Sequence, residues 1–160
     1  MSIGSDSKEL RRAFGRFTTG IAIVTGNEGG RAHGMTANSF TPVSQDPPSL
    51  LVCIHNDAKM MKVLKEHGHY GLSVLASTQE PISRHFAGCR DPELNIVFET
   101  HNGVPLITGA LAHFVCKIVD APSAGDHTIY VGEVEYFRHA EGPPLLFFAG
   151  SYQHRLEPHY

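Results

Sequence analysis

The chain has 160 residues and a formal net charge of -3 at pH 7, with 13 Lys plus Arg against 16 Asp plus Glu. That length fits one domain, read here as residues 1–160, and 41% hydrophobic residues supply a core, which excludes a disordered chain. The acidic balance lacks the basic field of a nucleic-acid binder, and no apolar run approaches the ~20 residues of a membrane-spanning helix, so neither a nucleic acid nor a membrane is an expected partner.

The start, Met1 to Asp6, has neither the basic residues nor the apolar stretch of a secretory signal. Cys53, Cys89 and Cys116 form no close pair, so a reduced, cytoplasmic protein is expected. Asp6 with Glu9 fits a capping box, and Leu10, Ala13, Phe14 and Phe17 recur at helical spacing. This predicts a short amphipathic helix, over by Gly20. Ile21 to Thr25 is a β-branched run, and Asn27-Glu28-Gly29-Gly30 turns it into an antiparallel partner over Arg31 to Asn38.

Asp46-Pro47-Pro48 breaks the chain before Ser49 to Ile54, a continuous apolar segment expected to be a strand buried on both faces. Ala58 to His67 follows as a helix with Met60, Met61, Val63 and Leu64 on one side; Asp57 is available as its cap and Gly68 suits its end. Tyr70 to Leu75 reads as a strand, and Gln79 to Phe86 as a short helix with Pro81 in its first turn. Residues Ala87 to Gly109, rich in Gly, Pro, Asn and Asp, predict a long surface connection. Leu111 to Val119, His127 to Tyr136 and Leu145 to Phe148 are strand-like. Many strands with only short helices, and no alternating strand-helix rhythm, indicate a mainly β fold and a closed antiparallel barrel.

The chemistry is sparse. No GxGxxG or GxxxxGK[ST] loop is present, there is no HExxH or GxSxG, and the 11 histidines are scattered, so no metal is expected. Two segments stand out. In His33-Gly34-Met35-Thr36-Ala37-Asn38-Ser39-Phe40, small and hydrogen-bonding residues replace the bulky ones a strand usually carries. Such a strand is either a Gly-containing edge or a surface that lets the backbone approach a flat heteroaromatic ring, with Thr36, Asn38 and Ser39 bonding its polar edge. Gly125-Asp126-His127 is a turn that delivers a histidine to the start of a strand, either simply solvated or facing a pyridine nucleotide.

With these segments the chain resembles the short-chain flavin reductases, the NAD(P)H-dependent reductase components of two-component flavin monooxygenases of the phenol and 4-hydroxyphenylacetate hydroxylase type. The matching pieces run from Phe14-Gly15-Arg16-Phe17-Thr18-Thr19-Gly20 through Gly34 to Phe40 with Val43-Ser44, then Ala58-Lys59-Met60, His85-Phe86-Ala87-Gly88 and Gly125-Asp126-His127. They end at Pro144 to Phe148 with Gly150 and Tyr152. The order and spacing carry the likeness.

The resemblance implies an FMN-binding type of split β-barrel, a homodimer with flavin in a groove near the subunit interface. By matching position, Thr36, Ala37, Asn38 and Ser39 would line the isoalloxazine, with Met35 and Ser44 in the same set and Cys53 and Ile54 on the adjoining strand. Lys59 and Met60 would meet the ribityl phosphate, and Phe86 and Ala87 would complete the flavin site. Phe14, Arg16, His127 and Tyr152 would face the nicotinamide nucleotide, His127 being the residue assigned to the catalytic step, as a positioning group rather than a general base. The implied reaction is hydride transfer from NADH, or NADPH, to FAD or FMN, with reduced flavin leaving for a separate monooxygenase. Two further readings share the scaffold: a flavin oxidoreductase that keeps its flavin, and a flavin sensor or storage module.

Overall fold

The structure is a computed structural model that describes residues 7–154. Asp6, and with it the expected capping box, lies outside the described residues. In chain order the elements are helix α1 (Ser7–Phe14) and strands β1 (Thr19–Gly20), β2 (Ala22–Glu28), β3 (Arg31–Ala37), β4 (Phe40–Gln45) and β5 (Pro48–His55). Helix α2 (Lys59–His67), strand β6 (His69–Val74), a 3-10 turn (Ser77–Gln79) and helix α3 (Glu80–Phe86) come next. The rest is strand: β7 (Phe98–His101), β8 (Val104–Ile107), β9 (Ala112–Asp120), β10 (Ser123–Ala124), β11 (His127–His139), β12 (Leu146–Phe148) and β13 (Ser151–Gln153).

The main sheet has the order β3-β2-β6-β9-β11-β5-β4, with antiparallel pairing between neighbours. Its two outermost strands, β3 and β4, are neighbours in the chain, separated only by Asn38 and Ser39. The ladder therefore comes back on itself but opens at that junction, as in a split barrel. Ser39 is held there from the far side: its carbonyl accepts from the Cys53 amide at 2.8 Å, and its hydroxyl donates to the Cys53 carbonyl at 2.8 Å.

The hairpin expected from Asn27 to Gly30 forms, in a register that pairs Ala22 with Ala37 and Glu28 with Arg31. Strand β2 has both faces covered over Ala22 to Gly26. Its Ala22 and Val24 join a core shared with Met60, Val63 and Leu64 of α2, whereas Ile23 and the preceding Ile21 join a second core with Leu75, Ile107 and Leu145. Each fully buried Ile or Leu contributes about 1.5–3 kcal/mol, so β2 anchors both halves of the interior. Gly26 is what lets α2 lie so close, since a Cβ there would come within 2.5 Å of the Val63 side chain.

Four expectations need correction. Strand β5 is not buried on both faces: Leu50, Val52 and Ile54 point inward, while Leu51 and Cys53 are only partly covered. A run of apolar residues hides the alternation, because Leu51 and Cys53 are as apolar as their inward neighbours. Residues Ala87 to Gly109 are not one loop; they contain the β7-β8 hairpin, with Val104 to Ile107 buried. That hairpin is fastened by Thr25 Oγ1 donating to the Pro105 carbonyl, by the Ile107 amide donating to Ser73 Oγ at 3.0 Å, and by His113 Nε2 donating to the Ile107 carbonyl at 2.6 Å. Ala58, with no side-chain cap, precedes α2 in place of an Asp57 cap, although Gly68 closes the helix in the left-handed region at φ 68° as expected. Finally, α1 buries none of its residues: Phe14 is 63% and Phe17 73% exposed.

Candidate functional site

The small-residue strand meets α3 and the small sheet β1-β12-β13 around an open groove of about 170 Å³. Its walls are Ile21, Thr36, Ala37 and Asn38 on one side, Ser83 and Ala87 on the second, and Phe147 and Tyr152 on the third. Ser83 and Ala87 stand four apart and so share one face of the α3 end. Thr36 Oγ1 donates to the Ser83 carbonyl at 2.6 Å, tying β3 to α3. The Ser83 and Tyr152 hydroxyls lie 2.9 Å apart, and the Arg84 guanidinium sits 4.6 Å over the Tyr152 ring. Arg84 in turn bonds Glu80 Oε1 from Nε at 2.6 Å, and His154 lies 2.6 Å from the other Glu80 oxygen. Partial burial works against charge on Glu80, but the Arg84 hydrogen bond and the His154 contact outweigh it and hold the carboxyl below its usual range.

One residue further along β3 and α3 lies a second, larger open cavity of about 540 Å³, lined by Met35, Lys59, Met60 and Phe86 among others. Phe86 lies against the β3 backbone because residue 34 is glycine: a Cβ on Gly34 would come within 2.7 Å of its ring. Lys59 stands at the first turn of α2 and pairs with Glu28 at 2.9 Å, which holds the Glu28 carboxyl below its ordinary value. Burial first, and the Lys59 and Arg90 charges after it, push the His33 imidazole down. Glu28, 4.0 Å from His33 Nδ1 as well, offsets part of the positive charge there.

The Gly125-Asp126-His127 turn lies elsewhere, at the end of β11. Asn56 holds it, accepting from the Thr128 hydroxyl at 2.9 Å and donating its amide backbone hydrogen to the Asp126 carbonyl at 2.9 Å. His127 Nδ1 donates to Asp126 Oδ1 at 2.7 Å, and the His55 ring packs edge-on against His127 with centroids 5.2 Å apart. The His127 hydrogen bond is the main reason the Asp126 carboxyl sits below its usual range.

Among the residues singled out by sequence, Thr36, Ala37, Asn38, Ala87 and Tyr152 share the groove, and Met35, Lys59, Met60 and Phe86 share the cavity beyond it. Ser39 and Cys53 bond each other at the open junction. Ile54 places its side chain in the core, and Ser44 caps the β4-β5 turn by accepting from the Asp46 amide at 3.1 Å. Arg16 lines a separate basic hollow with Lys8, Arg11 and Arg12, its guanidinium 5.9 Å from the Phe148 ring centroid, and Phe14 points outward. His127 lines neither space. Sequence reasoning passed over Ile21, Ser83 and Phe147 in the groove and His33, His85 and Phe98 in the cavity. The i, i+4 pair of small residues Ser83 and Ala87 was the available signal.

The comparisons agree with this architecture. The model of the flavin reductase like domain matches residues 14–155, and the chain belongs to that family. An NADH-dependent flavin reductase of Rhodococcus sp is 48% identical over 147 residues, covering 90% of this chain and 84% of the relative. An NADH-dependent FAD reductase of Streptomyces globisporus is 40% identical over 160 residues, covering 96% of this chain and 87% of the relative. The solved structure of the flavin reductase PheA2 in its native state superposes with a TM-score of 0.91 at 38% identity, over 95% of this chain and 99% of that one.

Proposed function

We propose that this protein is an NADH-dependent flavin reductase that reduces FAD or FMN and supplies the reduced flavin to a separate monooxygenase. The observation that carries the reading is the groove between β3, α3 and the β12-β13 hairpin, lined by Ala37 and Ala87, with a cavity holding Lys59 next to it along β3 and α3. The residues present fit a flavin: small walls admit a flat ring, the Asn38 amide is offered at the opening, and the cation lies where a ribityl phosphate would end. When bound, the flavin accepts a hydride from the reduced nicotinamide.

The protein's part is orientation. Ala37 and Ala87 leave the two rings room to approach to about 3–3.5 Å, the separation that turns a bimolecular step into an effectively unimolecular one. Thr36, Ser83 and Tyr152 fix the two sides of the groove relative to each other by the hydrogen bonds described above. Asn38 and Ser39 lie outside the strand ladder, which leaves their amides available to the polar edge of the ring. His127, oriented by Asp126, serves the nicotinamide nucleotide as a positioning group. No general acid or base is required of the chain.

The protein works as a homodimer, a reading supported by the exposed Leu10, Phe14 and Phe17 on and beside α1 and by the outward side chains of β5. A cytoplasmic location accords with Cys53, Cys89 and Cys116 all being free. NADH oxidation by the purified protein with FAD, FMN or riboflavin tests the activity. Turnover with at least one flavin, and transfer of the reduced product to an oxygenase in a separate chamber across a dialysis membrane, is the expected result. A protein that consumes no NADH or NADPH with any flavin sinks the reading.

A further inference from the structure

The turn that carries Asp126 and His127 is gripped from the end of β5. Asn56 holds its backbone, donating from its amide to the Asp126 carbonyl at 2.9 Å and from its side chain to the Gly125 carbonyl at 3.3 Å. His55 reaches the side chains. It stands directly opposite His127 in the antiparallel register of β5 and β11, the two rings edge-on at an interplanar angle of 77°. Its Nε2 lies 3.8 Å from Asp126 Oδ2, while His127 Nδ1 takes the other oxygen of the same carboxylate. The tautomers follow from these partners. His55 Nδ1 accepts from the Asp57 amide at 3.2 Å, so in the neutral ring the proton sits on Nε2, the nitrogen turned to Asp126. The Asp57 carboxylate, 4.0 Å from His55 Nδ1, faces that lone pair rather than a proton. A carboxylate only accepts, so His127 carries its proton on Nδ1 and, when neutral, keeps a lone pair on Nε2. Asp126 thus stands between two imidazole N–H groups, one for each oxygen.

From the reading of His127 as the group that serves the nicotinamide nucleotide, on which this rests, we infer that His55 is a further positioning residue for NADH. It holds the Asp126 carboxylate in line with His127 Nδ1, and so keeps His127 Nε2 an acceptor. An acceptor there suits a ribose hydroxyl or an amide N–H of the nucleotide, not a phosphate oxygen. Side-chain exposures of 48% for His55 and 77% for Asp126 leave the 3.8 Å contact worth little to stability. Its effect is on orientation. Without the His55 N–H the carboxylate turns toward solvent, and His127 loses the partner that selects which of its nitrogens is protonated.

Steady-state kinetics at varied NADH and saturating flavin test this in His55→Phe and His55→Gln, each also on the Asp126→Asn background, beside long-range proton–nitrogen NMR of the histidine rings at mildly alkaline pH. His55→Phe keeps an edge-on ring without its N–H, and His55→Gln returns a donor at similar reach. Expected are an NADH KM raised about threefold to tenfold in His55→Phe with kcat unchanged, a KM near the parent's in His55→Gln, and no further rise when His55→Phe is added to Asp126→Asn. In the spectra His127, identified by the signal lost in His127→Ala, stays protonated at Nδ1 in the parent and in His55→Gln and becomes a mixture of tautomers in His55→Phe. Melting temperatures report that the variants fold. An unchanged KM in His55→Phe, a His55→Gln variant as impaired as His55→Phe, or effects that add on the Asp126→Asn background overturn the assignment. If His127→Ala leaves the NADH KM unchanged, the reading of His127 fails instead, and the spectra still decide whether His55 sets the tautomer.

Discussion

The hydroxyl of Tyr152 on β13 lies 2.9 Å from the hydroxyl of Ser83 on α3, across the mouth of the groove. This contact joins the C-terminal hairpin to the helix that forms the opposite wall. Tyr152→Phe keeps the ring under Arg84 but removes the bond, and is expected to cost about 1 kcal/mol, a fall of roughly 2–4 °C in melting temperature. The flavin KM should rise several-fold because the mouth loosens. Calorimetric melts and steady-state kinetics check both effects, and an unchanged KM would remove the hydroxyl pair from the site.

Ala87 follows α3 at the edge of the groove and is exposed. Ala87→Leu places a branched side chain where the flat ring is read to lie. Stability should stay within about 0.5 kcal/mol of the parent, as for other surface substitutions, and flavin affinity should drop about tenfold or more. Urea unfolding and flavin titration separate the two.

Gly132 on β11 sits under Tyr70: a Cβ there would lie 2.5 Å from the Tyr70 hydroxyl oxygen and 2.6 Å from the Cys116 Cβ. Both neighbours are buried, and the Tyr70 hydroxyl also reaches the Leu50 and Tyr130 carbonyls at 3.3 and 3.4 Å. Gly132→Ala should therefore cost about 1–3 kcal/mol through overpacking. A urea midpoint identical to that of the parent would show that the Tyr70 ring shifts freely.

Alkaline pH should unfold the protein through the same cluster. Burial pushes the Cys116 thiol up from 9.0 to about 12, and burial likewise raises the Tyr70 phenol. The folded form keeps its protons where the unfolded chain has lost them, so the contribution is complete below the unfolded value and is lost as pH rises from about 9 towards 12. Thermal melts over that range should slope downward, less steeply in Cys116→Ala. In native protein a thiol reagent should modify the exposed Cys89 first and Cys116 last.

Asp126 fixes the ring of His127 through Nδ1. Asp126→Asn weakens a charge-assisted bond without altering the shape of the turn, and is expected to raise the NADH KM while leaving kcat with saturating nucleotide unchanged. His127→Ala should reproduce that pattern more strongly. Equal fractional losses of kcat in both variants would instead place His127 in the chemical step.

Much of the architecture was legible from local patterns. The β2-β3 hairpin followed from Asn27 to Gly30, α2 from its apolar face and Gly68, and the groove wall from the small residues Thr36, Ala37 and Asn38. The β7-β8 hairpin was not legible, because its strands are four residues each, interrupted by Pro105 and surrounded by turn-forming residues. Its stability comes from contacts with Thr25 and Ser73, on strands distant in the chain, and with His113 on the strand that follows. Likewise, the apolar spacing of α1 revealed the helix but not that Phe14 and Phe17 would be left uncovered.

By itself the amino-acid order determined most of the strands and helices, the β7-β8 hairpin excepted, and which stretch is too small-sided for ordinary packing, since periodicity and turn chemistry act over a few neighbouring residues. Only the folded chain decided which charges share a space. Lys59 and Arg90 come from different segments, and they line one cavity because Phe86 rests on Gly34 and α2 rests on Gly26. Charge proximity depends on sheet order and on such close approaches, neither of which leaves a local trace in the sequence.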